Sequence, residues 1–275
     1  MGKHREESME RLTVLGTGNA MVTKCYNTCF TISDTQQHFL IDGGGGNTIL
    51  RQLEQTNIHI RDIHHVFISH NHNDHILGII WIVRAATQKM LNNQYLGNLN
   101  IYGHQTAIEA IRVIASYVLN EKFTDLFDSR VIFHSINDGH QAEILGRQVT
   151  FFDIGSTKDL QYGFRMALLN GKILTFLGDE PYREQVKSYC LDVDYLLHEA
   201  FCLYEEKEIF KPYEKHHVTA KDACENAKQL NAKAVILYHT EDKSLDSRKK
   251  RYKAEGKTVY NGDIYVPDDL EVIDL

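Results

Sequence analysis

The chain has 275 residues, enough for one domain or two closely fused halves, and its 43% hydrophobic and 24% charged residues are typical of a soluble globular protein. Its formal net charge of -7 at pH 7 disfavours a general nucleic-acid binder. No apolar run approaches the roughly 18 residues that a membrane span requires, so we expect no membrane partner.

The N-terminal segment and the cysteines indicate the cellular compartment. Residues 1–10 are charged and lack the apolar core of a signal peptide, so we expect them to be a disordered or tag-like extension. The five cysteines are an odd number at irregular spacing, which does not suggest a disulfide framework. Together these features predict a cytoplasmic location.

Short β-rich runs alternate with helical patterns in the first half of the chain. Apolar residues at helical spacing follow the four glycines at 43–46, with Asn47 or Thr48 as an N-cap. The predicted strands are RLTVLGTG (11–18), NTCFTIS (27–33), QHFLIDGGGG (37–46), HHVFISH (64–70) and NLNIYG (98–103). The predicted helices are NTILRQLEQT (47–56), ILGIIWIVRAATQKML (76–91) and TAIEAIRVIASYVL (106–119).

The second half repeats this alternation. No shift in composition separates the two halves, so the sequence predicts an α/β protein in which two similar halves pack on each other. The predicted strands are RVIFHSI (130–136), QVTFFDIG (148–155), YGFRMALL (162–169), KILTFLGD (172–179), VDYLLHEA (193–200), AVILYH (234–239) and a closing strand near TVYNGDIYV (258–266). The predicted helices are TAKDACENAKQLN (219–231) and SLDSRKKRYKAEG (244–256).

The stretch SHNHNDH (69–75) is rich in side chains that bind metal ions. It follows a buried strand, and alternation along an extended segment points His70 and His72 in the same direction. Asp74 and His75 follow where the next helix begins, which turns them back toward the same space. Because neutral imidazoles and carboxylates are the ligands that zinc prefers, we interpret the stretch as part of a metal site rather than a polar surface loop.

Two distant strand ends offer further ligands. KILTFLGD places Asp179 just past a buried strand, after Gly178, and AVILYH places His239 at an equivalent position. Each residue alone is typical of a loop with a structural hydrogen bond. Because open α/β sheets gather their sites at the carboxyl ends of strands, the presence of both indicates metal ligands.

Several motifs together resemble a known family. SHNHNDH resembles the HxHxDH signature of the metallo-β-lactamase superfamily, and LGTG, LIDGGGG, LGDE and LYH occur in the order which that superfamily shows. HEAF (198–201) is similar to the HEAT motif of ribonuclease Z, HHVTAKDA (216–223) to its HST segment and YGFR (162–165) to its GYR-like strand. The resemblance implies a single domain over residues 1–275 with a four-layer αβ/βα sandwich, in which two mixed sheets carry outer helices.

The resemblance also implies a metal centre with an acid–base pair. Asp74, His217 and Glu199 are the implied catalytic residues, and the last two form a pair that donates a proton to the leaving oxygen. Without the resemblance, Glu199 is a buried carboxylate bound to backbone groups, and His217 is a residue beside the Thr219 helix cap. The implied cofactor is one or two Zn2+ ions, with Mn2+ and Fe as alternatives. The implied ligands are His70 and His72 for the first ion, Asp74, His75 and His239 for the second, and Asp179 for both.

One ligand of the family is absent. The family places a further histidine ahead of its GYR-like strand, and FDIGSTKDLQYGFR aligns Gly155 with that position. Glycine has no side chain that could bind a metal, and His134 and His140 lie upstream in the preceding strand and turn. The sequence therefore leaves open a first ion completed by solvent, a contribution from Asp153 or Asp159, and a protein that binds a single ion.

The features with which ribonuclease Z binds tRNA are reduced. Residues 166–176 separate YGFR from LGDE, which is enough for a hairpin but not for the family's Gly/Pro-rich arm. The loop VTKCYN (22–27) keeps Lys24 and Asn27 of the PxKxRN-type pattern but lacks its proline and arginine. We interpret the basic run RKKRYK (248–253) as a solvated helix face rather than as a phosphate contact. RNA is therefore not the favoured partner.

These observations favour a metal-dependent hydrolase that uses a metal-activated water, with a small-molecule or nucleotide phosphodiester as its substrate. One alternative is a tRNA 3′-processing endoribonuclease. Another is a catalytically weakened binding protein, because the expected ligand histidine is Gly155. A homodimer is expected by analogy with this branch of the superfamily.

Overall fold

The folded part of the chain includes Glu10. A computed structural model describes residues 10–275, so residues 1–9 of the expected extension lie outside the described part. The Glu10 carboxylate is buried and lies 2.5 Å from Nε of Arg147, which is also buried. Because a buried charge needs a partner, this ion pair assigns Glu10 to the folded domain rather than to the extension.

The elements alternate largely as the sequence predicts. In residues 10–145 they are β1 (Arg11–Gly16), β2 (Cys29–Ser33), β3 (His38–Ile41), α1 (Thr48–Gln55), β4 (Ile63–Ile68), α2 (Asn73–Leu91), β5 (Leu99–Gly103), α3 (Gln105–Val118), α4 (Glu121–Thr124), β6 (Val131–Ser135) and β7 (Gln141–Ile144). In residues 146–275 they are β8 (Arg147–Asp153), β9 (Tyr162–Ala167), β10 (Ile173–Phe176), α5 (Lys187–Cys190), β11 (Tyr195–Glu199), α6 (Lys207–Phe210), α7 (Ala220–Gln229), β12 (Ala234–Tyr238), α8 (Leu245–Gly256), β13 (Asp263–Tyr265) and β14 (Val272–Asp274). No α-helix in residues 10–275 is both long and apolar enough to cross a membrane.

The strands form two sheets that share one pairing pattern. The first has the order β14-β1-β2-β3-β4-β5-β6 and the second β13-β12-β11-β10-β9-β8-β7. Pairing is antiparallel from β14 to β3 and parallel from β3 to β6. It is likewise antiparallel from β7 to β10 and parallel from β10 to β13. The prediction of two similar halves with mixed sheets is confirmed.

Three apolar clusters separate four layers. One fills the space between the sheets, a second lies between the first sheet and helices α1 to α3, and a third lies between the second sheet and helices α7 and α8. The central cluster is rich in aromatic pairs that join the sheets, with ring centroids 5.3 Å apart for Phe30–Phe176 and 4.9 Å apart for Phe67–Phe151. The implied αβ/βα sandwich is therefore the observed fold.

The sequence pattern does not predict two of the strands, β7 and β14. In β7 Ile144 is the one fully buried residue, so the strand lacks the apolar alternation by which strands are recognised. The strand predicted near 258–266 is β13, but it does not close the fold. The chain continues into β14, which returns to the first sheet and pairs with β1 through Leu12 and Ile273.

The basic run on α8 is a solvated helix face only in part, because Lys250 and Lys253 are exposed whereas two other residues of the run face the interior. Arg248 and Tyr252 are buried, and the Arg248 guanidinium donates to the Thr240 hydroxyl at 2.7 Å. The same guanidinium lies 3.0 Å from the Asp268 carboxylate. These contacts anchor α8 beside the end of β12, so the run supports the fold.

The four-glycine turn after β3 packs directly against α2. The Gly43 N–H donates to the His75 carbonyl at 2.8 Å, and the Gly78 N–H donates to the Gly44 carbonyl at 2.8 Å. A Cβ added at Gly78 would lie 1.8 Å from the Gly43 carbonyl oxygen, so this approach requires glycine. The contact sets the first turn of α2, which contains Asp74, against the end of β3.

We predict that Gly78→Ala lowers the free energy of unfolding by about 1–3 kcal/mol, the usual cost of overpacking, although alanine is the better helix former. Gly46→Ala in the same turn is the control, because a Cβ there would meet nothing within 4 Å. Urea unfolding of the metal-free protein, followed by circular dichroism, measures both variants. Equal destabilisation by the two substitutions would contradict the role of the Gly78 contact.

Candidate metal centre

The implied metal ligands come from three separate parts of the chain. Asp179 lies three residues after β10 and His239 directly after β12, while the histidine-rich stretch joins β4 to the first turn of α2. All are carboxyl ends of strands, where α/β proteins build their sites. The structure brings together all six residues, namely His70, His72, Asp74, His75, Asp179 and His239.

Asp179 lies at the centre of this group. Its Oδ2 is 3.5 Å from Nε2 of His70 and 3.5 Å from Nε2 of His75. The same oxygen is 3.4 Å from Nε2 of His239. Oδ2 of Asp74 lies 3.3 Å from Nε2 of His75 and 3.6 Å from Nε2 of His239. One carboxylate oxygen thus lies near three histidines. The groups that could hold an ion are His70, His75 and Asp179, and Asp74, His75 and His239, while His72 reaches the centre through its contact with His70.

Several of these atoms are buried and have no hydrogen-bond partner. In the described part of the chain they include Oδ1 of Asp179, Nε2 of His75 and both ring nitrogens of His239. Because a buried polar atom without a partner costs free energy, such atoms call for an explanation. Imidazole nitrogens and carboxylate oxygens are the donors that a zinc-class cation prefers. The residues present therefore fit a divalent metal ion.

Asp42 and Ser69 contact His70 and His75 at Nδ1, the ring nitrogen that faces away from the centre and is called the outer nitrogen below. Oδ2 of Asp42 lies 2.8 Å from Nδ1 of His75 and accepts the Ser69 hydroxyl at 2.7 Å. That hydroxyl lies 2.9 Å from Nδ1 of His70. Such contacts fix the ring and direct Nε2 toward a metal. The sequence pattern assigns no role to Asp42 or Ser69, although both lie in the quoted motifs, because they are 27 positions apart and only folding brings them together.

Asp42 and His239 have left-handed backbone, with φ of 55° and 58°. Each residue directly follows a buried strand, so the turn redirects the chain at the edge of the sheet. A left-handed conformation costs a non-glycine residue about 1–3 kcal/mol and persists where the surrounding structure enforces it. The cost falls on His239, an implied ligand, and on Asp42, which holds the ring of His75.

Charge pairing decides the ionisation of the two carboxyl groups. Burial acts to raise the pKa of Asp179, but the surrounding histidines reverse this and hold it well below its usual value. At Asp74, too, burial acts to raise the carboxyl pKa, but His75 and His239 lower it below its usual value. Burial lowers the pKa of His70 well below its usual value, so this imidazole is neutral. Burial acts to lower the pKa of His75, but Asp74 and Asp42 reverse this and raise it well above its usual value. Because metal ions bind ionised carboxylates and neutral imidazoles, an ion held by His75 must displace a proton.

Glu199 and His217 form a second buried pair beside His239. Oε2 of Glu199 lies 3.7 Å from Nδ1 of His217, and its Oε1 accepts the Val218 N–H at 2.7 Å. Burial raises the pKa of Glu199 well above its usual value and lowers the pKa of His217 to about 4. At neutral pH a protonated carboxyl therefore faces a neutral imidazole. The Thr219 cap of α7 is present as well, so His217 adjoins both the cap and the centre.

The backbone and surroundings of Gly155 suit a tight turn rather than a metal-binding side chain. Its φ of 73° is left-handed, and a Cβ there would lie 2.1 Å from the side-chain amide nitrogen of Gln185. Its N–H donates to the Asp153 carboxylate at 2.7 Å, so Asp153 is engaged in closing the same turn. A histidine at position 155 would meet Gln185 before it could reach the other ligands.

Of the replacements considered from the sequence, Asp159 contacts the centre. Its Oδ2 lies 2.9 Å from Nε2 of His72, and Nδ1 of the same ring lies 2.9 Å from Nε2 of His70. His134 is engaged elsewhere, because its Nε2 lies 2.9 Å from the side-chain oxygen of Asn100. No sequence pattern indicates Asp159, since 87 positions separate it from His72.

Comparison with known proteins agrees with this geometry. Residues 10–260 match the family described as Anti-Pycsar protein Apyc1. The chain belongs to this family. Ribonuclease Z of Lactobacillus helveticus (strain DPC 4571) is 26% identical to the Apyc1-family chain over 305 residues, an alignment that covers 94% of this chain and 95% of the relative.

Solved structures share the fold of the Apyc1-family chain. The metallo-β-lactamase fold protein YhfI from Bacillus subtilis has a TM-score of 0.79 at 17% identity and covers 97% of this chain and 99% of its own. Zn2+-bound PqqB from Methylobacterium extorquens has a TM-score of 0.70 at 15% identity and covers 96% of this chain and 100% of its own. The chain is a member of the metallo-β-lactamase superfamily in its ribonuclease Z-like branch, and it is a metal-dependent hydrolase.

We predict that Gly155→His adds no metal ligand. The new side chain would meet Gln185 and strain the left-handed backbone, so the free energy of unfolding should fall by about 1–3 kcal/mol while the number of bound ions stays unchanged. Gly146→His is the control, because Gly146 has a similar φ of 69° but a Cβ there would meet nothing within 4 Å. Elemental analysis and urea unfolding measure both effects. An additional ion in the Gly155 variant would show this prediction to be wrong.

Proposed function

We propose that the protein hydrolyses phosphodiesters of small molecules or nucleotides with a metal-activated water. The observation that carries the proposal is one buried group in which Asp179 is shared by three histidines and adjoins the Glu199–His217 pair. Zinc is the proposed ion, with Mn2+ and Fe as alternatives, and the fold neighbour PqqB is described as Zn2+-bound. His70, His72 and Asp179 would hold a first ion, and Asp74, His75, His239 and Asp179 a second.

When bound, such ions supply a water of lowered pKa and positive charge opposite the phosphoryl oxygens. The chain supplies the orientation. We assign Asp74 to accept a hydrogen bond from the attacking water, because its carboxylate is ionised, buried and directed at the space that His75 and His239 share. Burial of the surrounding side chains strengthens these interactions by lowering the local dielectric.

Glu199 and His217 supply the proton for the leaving oxygen. Nδ1 of His217 faces Glu199, so Nε2 on the opposite side of the ring is the atom that donates. The Nε2–H bond breaks as the new O–H bond forms, and the protonated Glu199 carboxyl passes its proton to Nδ1. The distance of 3.7 Å between Nδ1 and Oε2 exceeds a hydrogen bond, as is common for catalytic pairs in the absence of substrate.

An open cleft of about 560 Å³ lies beside the four-glycine turn, and none of the implied metal ligands lines it. Gly45 lines this cleft, and a Cβ there would lie 3.8 Å from Cα of Asp74. Lys24 and Arg51 bring positive charge to its wall. We place the part of the substrate beyond the scissile bond in this cleft, because cations and N–H donors recognise phosphate and polar groups.

The ribonuclease Z relative favours a second candidate, a tRNA 3′-processing endoribonuclease. Residues 168–172 connect β9 to β10 in a tight hairpin, in which the Leu168 N–H donates to the Lys172 carbonyl at 2.8 Å. The resemblance places a tRNA-binding arm at this connection. The short hairpin therefore supports a small phosphodiester substrate over a precursor tRNA.

The expected homodimer stays a prediction. Trp81 of α2 and Val118 of α3 are exposed, and both line a groove with Ile114. Tyr117 on α3 is also exposed. An apolar surface of this kind is typical of contact with another macromolecule, which is compatible with a second copy of the chain.

We predict that His217→Ala lowers kcat about 10²–10⁴-fold for a phosphodiester with an alkoxide leaving group, because it removes the general acid. For bis(p-nitrophenyl) phosphate the loss should be small, because p-nitrophenolate leaves without a proton. His140→Ala, in the turn between β6 and β7, is the matched control. Steady-state kinetics with both substrates separates the outcomes. Equal losses on the two substrates would contradict proton donation by His217.

Metal removal tests the proposed activity as a whole. Purified protein should contain stoichiometric Zn, Mn or Fe and hydrolyse small phosphodiesters. A chelator should abolish this activity, added metal should restore it, and Asp179→Asn should lose both metal and activity. Faster cleavage of a precursor tRNA than of small phosphodiesters would establish the second candidate instead. Metal-loaded protein that cleaves neither substrate would overturn the proposal.

A further inference from the structure

The two ring nitrogens of His72 face different partners. Nδ1 lies 2.9 Å from Nε2 of His70, at the implied first ion position. Nε2 lies 2.9 Å from Oδ2 of Asp159 on the outer side of the ring. Because the two nitrogens point away from each other across the imidazole, a metal bound at Nδ1 would leave Nε2 to donate its proton to the Asp159 carboxylate.

Two neighbouring histidines show the same arrangement. The outer nitrogen of His70 lies 2.9 Å from the Ser69 hydroxyl, and the outer nitrogen of His75 lies 2.8 Å from the Asp42 carboxylate. Metal-binding histidines commonly have such a partner, which fixes the ring and increases the basicity of the ligand nitrogen. Asp159 gives His72 the corresponding contact.

The segment that carries Asp159 is attached to the centre at two further points. The Ser156 hydroxyl donates to Oε1 of Glu180 at 2.7 Å, and Glu180 directly follows Asp179 in the chain. The Thr157 hydroxyl lies 2.9 Å from Nδ1 of His216, and His216 directly precedes His217 in the chain. These contacts hold residues 156–159 across the ends of two site segments. The same segment follows Gly155, where the family has its missing histidine.

We propose that Asp159 is the positioning residue for His72, and that this contact compensates for the ligand absent at Gly155. The inference rests on the proposed metal-dependent function and deepens it. Asp159 directs Nδ1 of His72 to the first ion, so that His70, His72 and the shared Asp179 hold that ion without a third histidine. The protein therefore binds two ions per chain.

The exposure of the His72–Asp159 pair indicates that it positions a ligand rather than stabilises the fold. The side chain of His72 is 34% exposed and that of Asp159 57% exposed. Ion pairs this accessible contribute little to stability. Loss of the Asp159 carboxylate should therefore leave the urea midpoint of the metal-free protein unchanged while it changes metal binding.

The test is calorimetric titration of the metal-free full chain with Zn2+ alone, for wild type, Asp159→Ala and Asp159→Asn. Wild type should bind two ions, and Asp159→Ala should weaken the weaker site by about 10–100-fold, the usual effect of removing an outer partner of a metal-bound histidine. Asp159→Asn keeps an acceptor oxygen and should recover part of the loss. Glu143→Ala, an exposed carboxylate on the edge strand β7, is the matched control and should leave both sites unchanged.

Two results would overturn this inference. One is equal zinc binding by wild type and Asp159→Ala, whether one or two ions bind. The other is an anomalous diffraction map of the zinc-loaded protein that shows the Asp159 carboxylate bound directly to an ion. If zinc binding follows the expectation but no phosphodiester is cleaved, the proposed function fails while the role of Asp159 stands.

Discussion

Two buried carboxylates, Asp74 and Asp179, lie 3.3–3.6 Å from histidine ring nitrogens, and the rest of the site is arranged around them. Removal of a carboxylate from water is costly unless positive charge or hydrogen bonds replace the lost hydration. The histidines replace part of it, but buried atoms such as Oδ1 of Asp179 and Nε2 of His75 remain without partners. A divalent cation removes this deficit. These buried groups destabilise the metal-free fold, and they are there because the same groups bind the cation.

Rigid support makes such a cluster tolerable. The Gly78–Gly43 contact sets α2 against β3, and Asp42 with Ser69 fixes two histidine rings from outside. On the opposite side, buried Arg248 ties α8 to Thr240, the residue after His239. Metal ligands must be held to within a fraction of an ångström, and loops alone rarely achieve this. The site thus depends on secondary-structure packing as much as on its ligands.

The two halves contribute unequally to a common frame. The second half supplies all seven strands of its own sheet, whereas the first half supplies six, and β14 from the end of the chain completes the first sheet beside β1. The shared frame explains why the chain superposes on proteins of 15–17% identity such as YhfI and PqqB. Differences in chemistry then reside in connections, such as the short β9–β10 hairpin and the segment 156–159.

Local patterns in the chain were sufficient for the long elements and for the six implied ligands. Strands such as β4 and helices such as α3 have strong apolar periodicity, and SHNHNDH places four ligands within one short stretch. Asp179 and His239 were recognisable because each follows an apolar strand. The edge strand β7 and the returning strand β14 were not, because long-range pairing rather than a local pattern makes them strands.

The amino-acid pattern alone was enough to indicate the fold class, to name the candidate donors and to show that no histidine stands at position 155. Folding buries Arg248, brings Gln185 to the place that a side chain at position 155 would occupy, and brings Asp159 to His72. The physical reason is separation along the chain. Periodicity records which face of an element is apolar, whereas a hydrogen bond between residues 87 positions apart exists only after both sheets have packed.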